Sequence, residues 1–229
     1  MRTGWMIALI VGAMALAVVA VLAGLVAWLG WLWGLVIGLV IAATIVVVYL
    51  VFIKPWHVRW GATDAEVTRA IPGDELLPDA GSTTRAITIA ARPEKIWPWL
   101  AQLGYGKAGW YSYDWIDNDF KPSADRVLPE YQDLAAGDTI LMMPSMGFAV
   151  LAVDEPHSIV SMLEDGSTSW CLALYLSDDG STRLISRWRP RFKRSVATFF
   201  MLALVEPGTF IMERKMLRTI CDRVESSAD

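Results

Sequence analysis

From residue 3 to residue 53 the chain carries no Asp, Glu, Lys, Arg or His. The run opens after Arg2 and closes at Lys54, and it restricts what the N-terminal part can become. An α-helix rises about 1.5 Å per residue, so roughly 20 residues cross about 30 Å of bilayer hydrocarbon. A charge-free run of 51 residues has room for two crossings and a turn. Gly30 and Gly34 bracket Trp31-Leu32-Trp33 near its middle, with Trp28 just before. The expectation is a transmembrane helical hairpin over residues 1–55, with helices at about 5–28 and 34–53, followed by a water-soluble part.

A secretory signal would have one short apolar core and a small-residue cleavage site. Cleavage near Gly24 or Ala27 would still leave the second apolar span. A buried core hairpin is disfavoured because core helices normally keep a polar edge. Arg2 precedes the first helix, Lys54 and Arg59 follow the second, and the joining turn has tryptophans and no charge. Basic flanks stay cytoplasmic and tryptophan favours the headgroup level. The reading is a cell-membrane protein of two spans with a cytoplasmic soluble domain. Thr44 and Tyr49 are the polar residues of the spans, and neither provides the buried charge of a transport path. The glycines at 24, 30, 34 and 38 are expected to let the two helices pack closely.

Residues 54–229 hold all 24 acidic residues and 19 of the 20 basic ones, a formal charge of −5. A mildly acidic domain is a poor general nucleic-acid binder, so no nucleic-acid partner is expected. Cys171 and Cys221 form no C-x-x-C pair, and two His residues cannot furnish a zinc cluster, so no metal or cofactor is expected.

Residues 56–83 read as a juxtamembrane linker. Trp56 and Trp60 are placed at the membrane surface, where indole offers an apolar body and a donor. Thr63 and Glu66 have the spacing of a capping box before a short helix. Residues 84–89 alternate as a strand, and Pro93 opens a helix whose Ile96, Trp97, Leu100 and Leu103 share a face, with Pro98 expected to kink it. Residues 105–120 are dense in aromatics. Strands follow at 139–143, 147–153, 157–163, 169–176 and 182–192, separated by Asp-Glu-Pro, Asp-Gly and Asp-Asp-Gly turns. A C-terminal helix begins near Ser195, is expected to break at Pro207-Gly208, and carries an apolar stripe of Phe210, Leu217, Ile220, Cys221 and Val224. This order fits an α+β fold over residues 84–229, a curved antiparallel sheet around a long C-terminal helix.

Several strings carry a family likeness: Pro93-Glu-Lys-Ile-Trp97-Pro-Trp-Leu-Ala-Gln-Leu103-Gly, Gly109-Trp-Tyr-Ser-Tyr-Asp-Trp115, Ala136-Gly-Asp138, Glu206-Pro-Gly208 and Met212-Glu-Arg-Lys-Met-Leu217. Over about 84–225 the chain resembles the START-like superfamily, also called SRPBCC. The likeness is to its polyketide cyclase/dehydrase and lipid-transport-like branch, and looks strongest to bacterial membrane-attached members of unknown function. The resemblance implies a helix-grip fold with an apolar cavity, in a superfamily whose members bind lipids, sterols, hormones or polyketides. It supplies no universal catalytic set.

The expected function is a membrane-anchored binding protein for an apolar or amphipathic small molecule, with membrane lipids and that ligand as partners. A polyketide-cyclase-like enzyme and a structural membrane adaptor without ligand are the alternatives. Trp110, Tyr111, Trp115, Met143, Trp170 and Phe199 are the expected ligand-lining residues, each also readable as ordinary core. Asp114 and Asp117, three apart, are the carboxylates able to do acid/base work, or else a polar helix edge. Glu206, after an apolar run, either meets a ligand or ends a helix as an exposed carboxylate. Arg183, Arg187, Arg189, Arg191 and Lys193 occupy odd positions of the last strand, while Leu184, Trp188 and Phe192 occupy even ones. Period-two geometry puts the charges on one face. Arg187, Arg189 and Arg191 are therefore expected either to dock on anionic headgroups or to form a solvated face.

Overall fold

The computed structural model describes residues 2–191 and 195–226, with the side chains of 2–11, 14, 15, 196, 197 and 199–204 outside the description. The chain divides into two compact units, Met1–Trp56 and His57–Asp229. In the first, helix α1 (Arg2–Leu29) is followed by α2 (Trp31–Val48), a π-helical turn (Tyr49–Ile53) and α3 (Lys54–His57). Gly30, with φ of 79°, makes the reversal alone, and Trp31 to Trp33 belong to α2. A Cβ on Gly34 would lie 2.6 Å from the Val26 Cα, and one on Gly38 2.6 Å from Leu22 Cδ2. These two glycines therefore let α1 and α2 approach, as their spacing foretold.

The two-span topology does not stand. Among the described residues one helix, Trp31–His57, is long and apolar enough to cross a membrane. The neighbouring apolar stretch is Leu16–Leu29, which at 1.5 Å per residue covers about 21 Å and falls short of the hydrocarbon thickness. The cytoplasmic placement of the domain depended on an even number of crossings and falls with it.

The second unit begins with α4 (Asp64–Thr68) and a 3-10 turn (Asp74–Leu76). Thr63 and Glu66 form the capping box expected of them. Then come β1 (Thr83–Ile89), α5 (Pro93–Ala101), α6 (Asp114–Asp117), β2 (Thr139–Met143), β3 (Met146–Asp154), β4 (Ser158–Leu163), β5 (Thr168–Leu176), β6 (Thr182–Pro190) and α7 (Val196–Ser226). The sheet order is β1-β6-β5-β4-β3-β2, antiparallel throughout. The meander β2 to β6 is thus closed by β1 at the far edge. Bulges between Leu141 and Met143 and between Val150 and Ala152 bend it. One face packs on α5 and α7 through Ile96, Trp97, Leu100, Phe148, Trp170, Leu184, Met216, Leu217, Ile220 and Val224. This is the helix-grip architecture.

Two helices depart from expectation. Pro98 lies inside α5 without ending it, and α7 runs unbroken through Pro207. Each helix is held by its buried stripe, which outweighs one missing backbone donor.

The basic strand holds the largest local correction. Odd positions of β6 do share a face, but that face is covered by residues 59–80 of the linker. Arg183 forks onto Glu66 at 2.7 and 2.9 Å and reaches the Gly61 carbonyl. Arg187, 3 % exposed, donates to Thr84, Asp74 and the Arg69, Glu66 and Val67 carbonyls. Arg189 donates to the Leu77 and Pro78 carbonyls. Beside these arginines Ile71, Ala86, Val160, Cys171, Ala173 and Ile185 form a second small core. Guanidinium forks thus bind the linker backbone, leaving Arg191 exposed beyond the strand.

Burial alone would raise the Glu66 carboxyl, but the Arg183 fork and the Thr63 donors outweigh it and hold it below its ordinary 4.5. Its contribution is complete above that value and is lost as pH falls through the lowered one. Arg187→Ala is expected to cost about 3 kcal/mol by stranding its acceptors and to expose residues 59–80 to protease. Lysine there should restore only part, since one ammonium cannot serve so many acceptors. Denaturant titration and limited proteolysis of the full chain test both outcomes.

Candidate functional site

The interior between the concave sheet face and α7 is lined by indoles because tryptophans fall at inward positions of neighbouring strands. Trp170 of β5 stands opposite Trp188 of β6. Their rings stack with centroids 5.1 Å apart, and Phe148 meets them at 5.5 and 5.3 Å. Trp110, from the loop after α5, adds a contact to Trp170 at 5.8 Å. Trp170 donates to Ser186 Oγ at 2.9 Å. The buried Nε1 atoms of Trp110 and Trp188 have no hydrogen-bond partner.

The loop that carries Trp110 is held by a polar lattice. Gly104 and Gly109 pair across a short bridge, and a Cβ on Gly109, at φ 84°, would meet Ser123 Oγ at 2.4 Å. Ser123 accepts from the Tyr111 amide at 3.0 Å and donates to Asp114 Oδ1 at 2.5 Å, while its own amide donates to Asp114 Oδ2 at 3.1 Å. Tyr111 adopts φ of 55°, a left-handed conformation that a bulky residue occupies only under constraint. Gln102 donates to the Tyr111 hydroxyl oxygen at 2.6 Å and to the Arg126 carbonyl, and accepts from the Leu128 amide. Burial, opposed by Gln102 and by the charge of Arg223, pushes the Tyr111 phenol up to about 12. It stays protonated and positions the loop.

Asp117 differs from Asp114. Burial first, and the Asp114 charge second, raise its carboxyl to about 6. The Tyr113 amide and Ser112 hydroxyl offset part of this, yet neither carboxylate oxygen has a partner of good geometry. The Ser112 hydroxyl is directed instead to the Met212 carbonyl of α7 at 3.0 Å.

The expected lining residues therefore separate. Trp110, Tyr111 and Trp170 come together in the interior. Trp115 stacks edge-on against Tyr113 at 6.5 Å, away from that cluster. Met143, 46 % exposed, stands at the end of the edge strand β2. The Phe199 side chain lies outside the described residues. Glu206 is a partly buried residue within continuous α7, not at a helix end. Asp114 is occupied by Ser123. Trp56 is exposed, whereas Trp60 packs on Phe210 at 6.4 Å with Arg214 and Arg218 over its ring. Among the described residues no cluster of three or more His, Cys, Asp or Glu is placed to hold a metal. Trp188 and Gln102 were not among the expected site residues. The even-position pattern placed Trp188 on the inner face, but its register with Trp170 is a tertiary fact.

No protein-family model matches the chain, and no curated protein matches it. Solved structures do resemble it. A protein from Rhodobacter sphaeroides is 16% identical with a TM-score of 0.42, covering 69% of this chain and 97% of its own. The KanY protein is 11% identical with a TM-score of 0.42, covering 64% and 98%. A Polyketide_cyc-like protein from Corynebacterium glutamicum is 13% identical with a TM-score of 0.36, covering 66% and 96%. At such values the likeness adds no argument, and the helix-grip assignment rests on the sheet order and the helix it holds.

Asp117 predicts a pH dependence. A carboxyl raised from 3.8 to about 6 stabilises the fold fully below 3.8, and that stabilisation is lost as pH rises through about 6. Discounted for the hydration the group retains, this is on the order of 1 kcal/mol. Asp117→Asn should flatten the stability profile between pH 4 and 7 and raise stability at neutral pH, as thermal melts in matched buffers will record.

Proposed function

We propose that the chain is a membrane-tethered binding protein for an amphipathic small molecule, held in the helix-grip interior with an oxygen acceptor facing Trp110 and Trp188. The observation that supports this most directly is the pair of buried, unpartnered indole donors flanking Trp170. A buried donor left unmade costs about 1–3 kcal/mol, and phenylalanine would fill similar space without that cost. Apolar walls with a few polar groups characterise small-molecule sites. The tether in this reading is the single apolar helix Trp31–His57. A ligand-free adaptor is the second reading, favoured by the close contacts of Phe148, Trp170 and Trp188 in the same space.

Extraction of bound molecules from the purified full chain, followed by mass spectrometry, separates the two. Binding predicts a recovered molecule with a carbonyl, carboxyl or hydroxyl oxygen. Trp110→Phe and Trp188→Phe should keep the fold, reduce retention by roughly tenfold each, about 1.4 kcal/mol, and raise thermal stability of the empty protein. Recovery of nothing above background, with both variants unchanged in stability, favours the adaptor.

A further inference from the structure

Outside the interior, α7 presents a second feature that the reading above does not use. Tyr113, Phe210, Ile211, Arg214, Lys215, Arg218, Thr219 and Asp222 line an open groove of about 340 Å³. Arg214 and Arg218 stand over the Trp60 ring at 5.3 and 5.6 Å, and Lys215 lies over the Tyr113 ring at 4.1 Å. The aromatic rings orient the three cations without neutralising them. Among the described residues no carboxylate forms an ion pair with any of the three, and Asp222 is the sole acidic residue in the lining. Arg214 Nε is buried with no acceptor. The contrast with β6 is direct: there every buried guanidinium is matched by carboxylates and carbonyls.

We propose that this groove binds the phosphate of an anionic phospholipid headgroup. Helical spacing supplies the geometry, since residues 214 and 218 are one turn apart and 215 lies beside them. Two guanidinium groups and an ammonium line a groove that also exposes Ile211, 52 % accessible. A phosphate with an attached acyl glycerol matches both the charge and the apolar rim, and a polyanion without an apolar part would leave Ile211 uncovered. Chain connectivity keeps the ring beneath Arg214 and Arg218 a short reach from the apolar helix. Trp60 follows the apolar helix Trp31–His57 by three residues, a reach of about 11 Å at most when fully extended. This last point rests on the single-span reading; the charge and geometry of the groove do not.

The test uses the full chain purified in a neutral detergent. Phosphatidylglycerol, phosphatidylcholine of the same acyl composition and inorganic phosphate are titrated separately, with bound lipid counted by native mass spectrometry. Preferential retention of phosphatidylglycerol, weakened by salt, is expected. Arg214→Gln, Lys215→Gln and Arg218→Gln together should lower that retention by on the order of a hundredfold at low salt. Ile211→Glu alters an exposed side chain and removes no cation, so it guards against a folding defect in the triple variant. It should lower phosphatidylglycerol retention with the melting temperature unchanged. Equal retention of the two lipids, or retention unaffected by both variants, overturns the proposal. Inorganic phosphate binding as well as the lipid also overturns it, by removing the lipid from the recognition. Trp110→Phe and Trp188→Phe leave this binding intact, so its failure is distinguishable from failure of the interior site.

Discussion

The buried ion pair between Arg85 and Glu213 is the point where three parts of the domain depend on one another. Arg85 comes from the closing strand β1, Glu213 from α7, and the Arg85 Nε also donates to the His57 carbonyl at 2.9 Å. The two side chains are only 3 and 5 % exposed, and the guanidinium lies over the Phe210 ring at 5.3 Å. A pair taken this far out of water gives little net stability compared with well-packed apolar residues. Its value lies in what it forbids. Any slip of α7 along the sheet, or of the linker away from β1, leaves a charge in the interior at a cost of about 3–5 kcal/mol. The second Glu213 oxygen has no partner, so the pair is itself incompletely satisfied and sensitive to register.

The sheet then works as a two-sided plate. Its concave side meets α5 and α7, and its convex side carries residues 59–80 fastened by Arg183, Arg187 and Arg189. A connector of this length would ordinarily have many backbone carbonyls facing water. Here the carbonyls of residues 61, 66, 67, 69, 77 and 78 are acceptors for β6 guanidinium groups. The linker is consequently part of the domain, and its start at His57 is tied to the same strand, β1, that Arg85 occupies.

Much of this frame was legible. The capping box at Thr63 and Glu66, the strands between 139 and 190 and the glycine-bearing turns are local patterns, and local patterns survive reading one residue after another. Arg187 shows where such reading ends. Period two placed it correctly on the charged face, but what covers that face lies 113 residues earlier in the chain at Asp74. A strand of arginines looks the same whether water, lipid or its own linker lies against it. The same limit applies to Pro207. Its missing donor argues for a break, yet the stripe from Phe210 to Val224 is buried on the sheet and keeps α7 whole. Of the interior, Trp110 and Tyr111 came from an aromatic-dense segment and Trp170 from a strand, each readable as ligand-lining or ordinary core, while Trp188 required the strand register. The carboxylates divided for a reason spacing could not contain: Ser123 satisfies Asp114 and nothing comparable reaches Asp117.

The interior sets two energies against each other. Stacked contacts among Trp110, Phe148, Trp170 and Trp188 stabilise it as it stands, at about 0.5–1.5 kcal/mol per aromatic pair beyond simple burial. Against this stand two unsatisfied indole donors and the left-handed Tyr111, Asp119 and Phe120 that shape the surrounding loop. Each of these costs on the order of 1–3 kcal/mol. Of these costs, the two indole donors are the part that an oxygen acceptor would relieve. An apolar interior without those donors would gain nothing from opening. Under the proposed binding function the tryptophans have two parts, filling the space and holding the donors that an oxygen acceptor would satisfy.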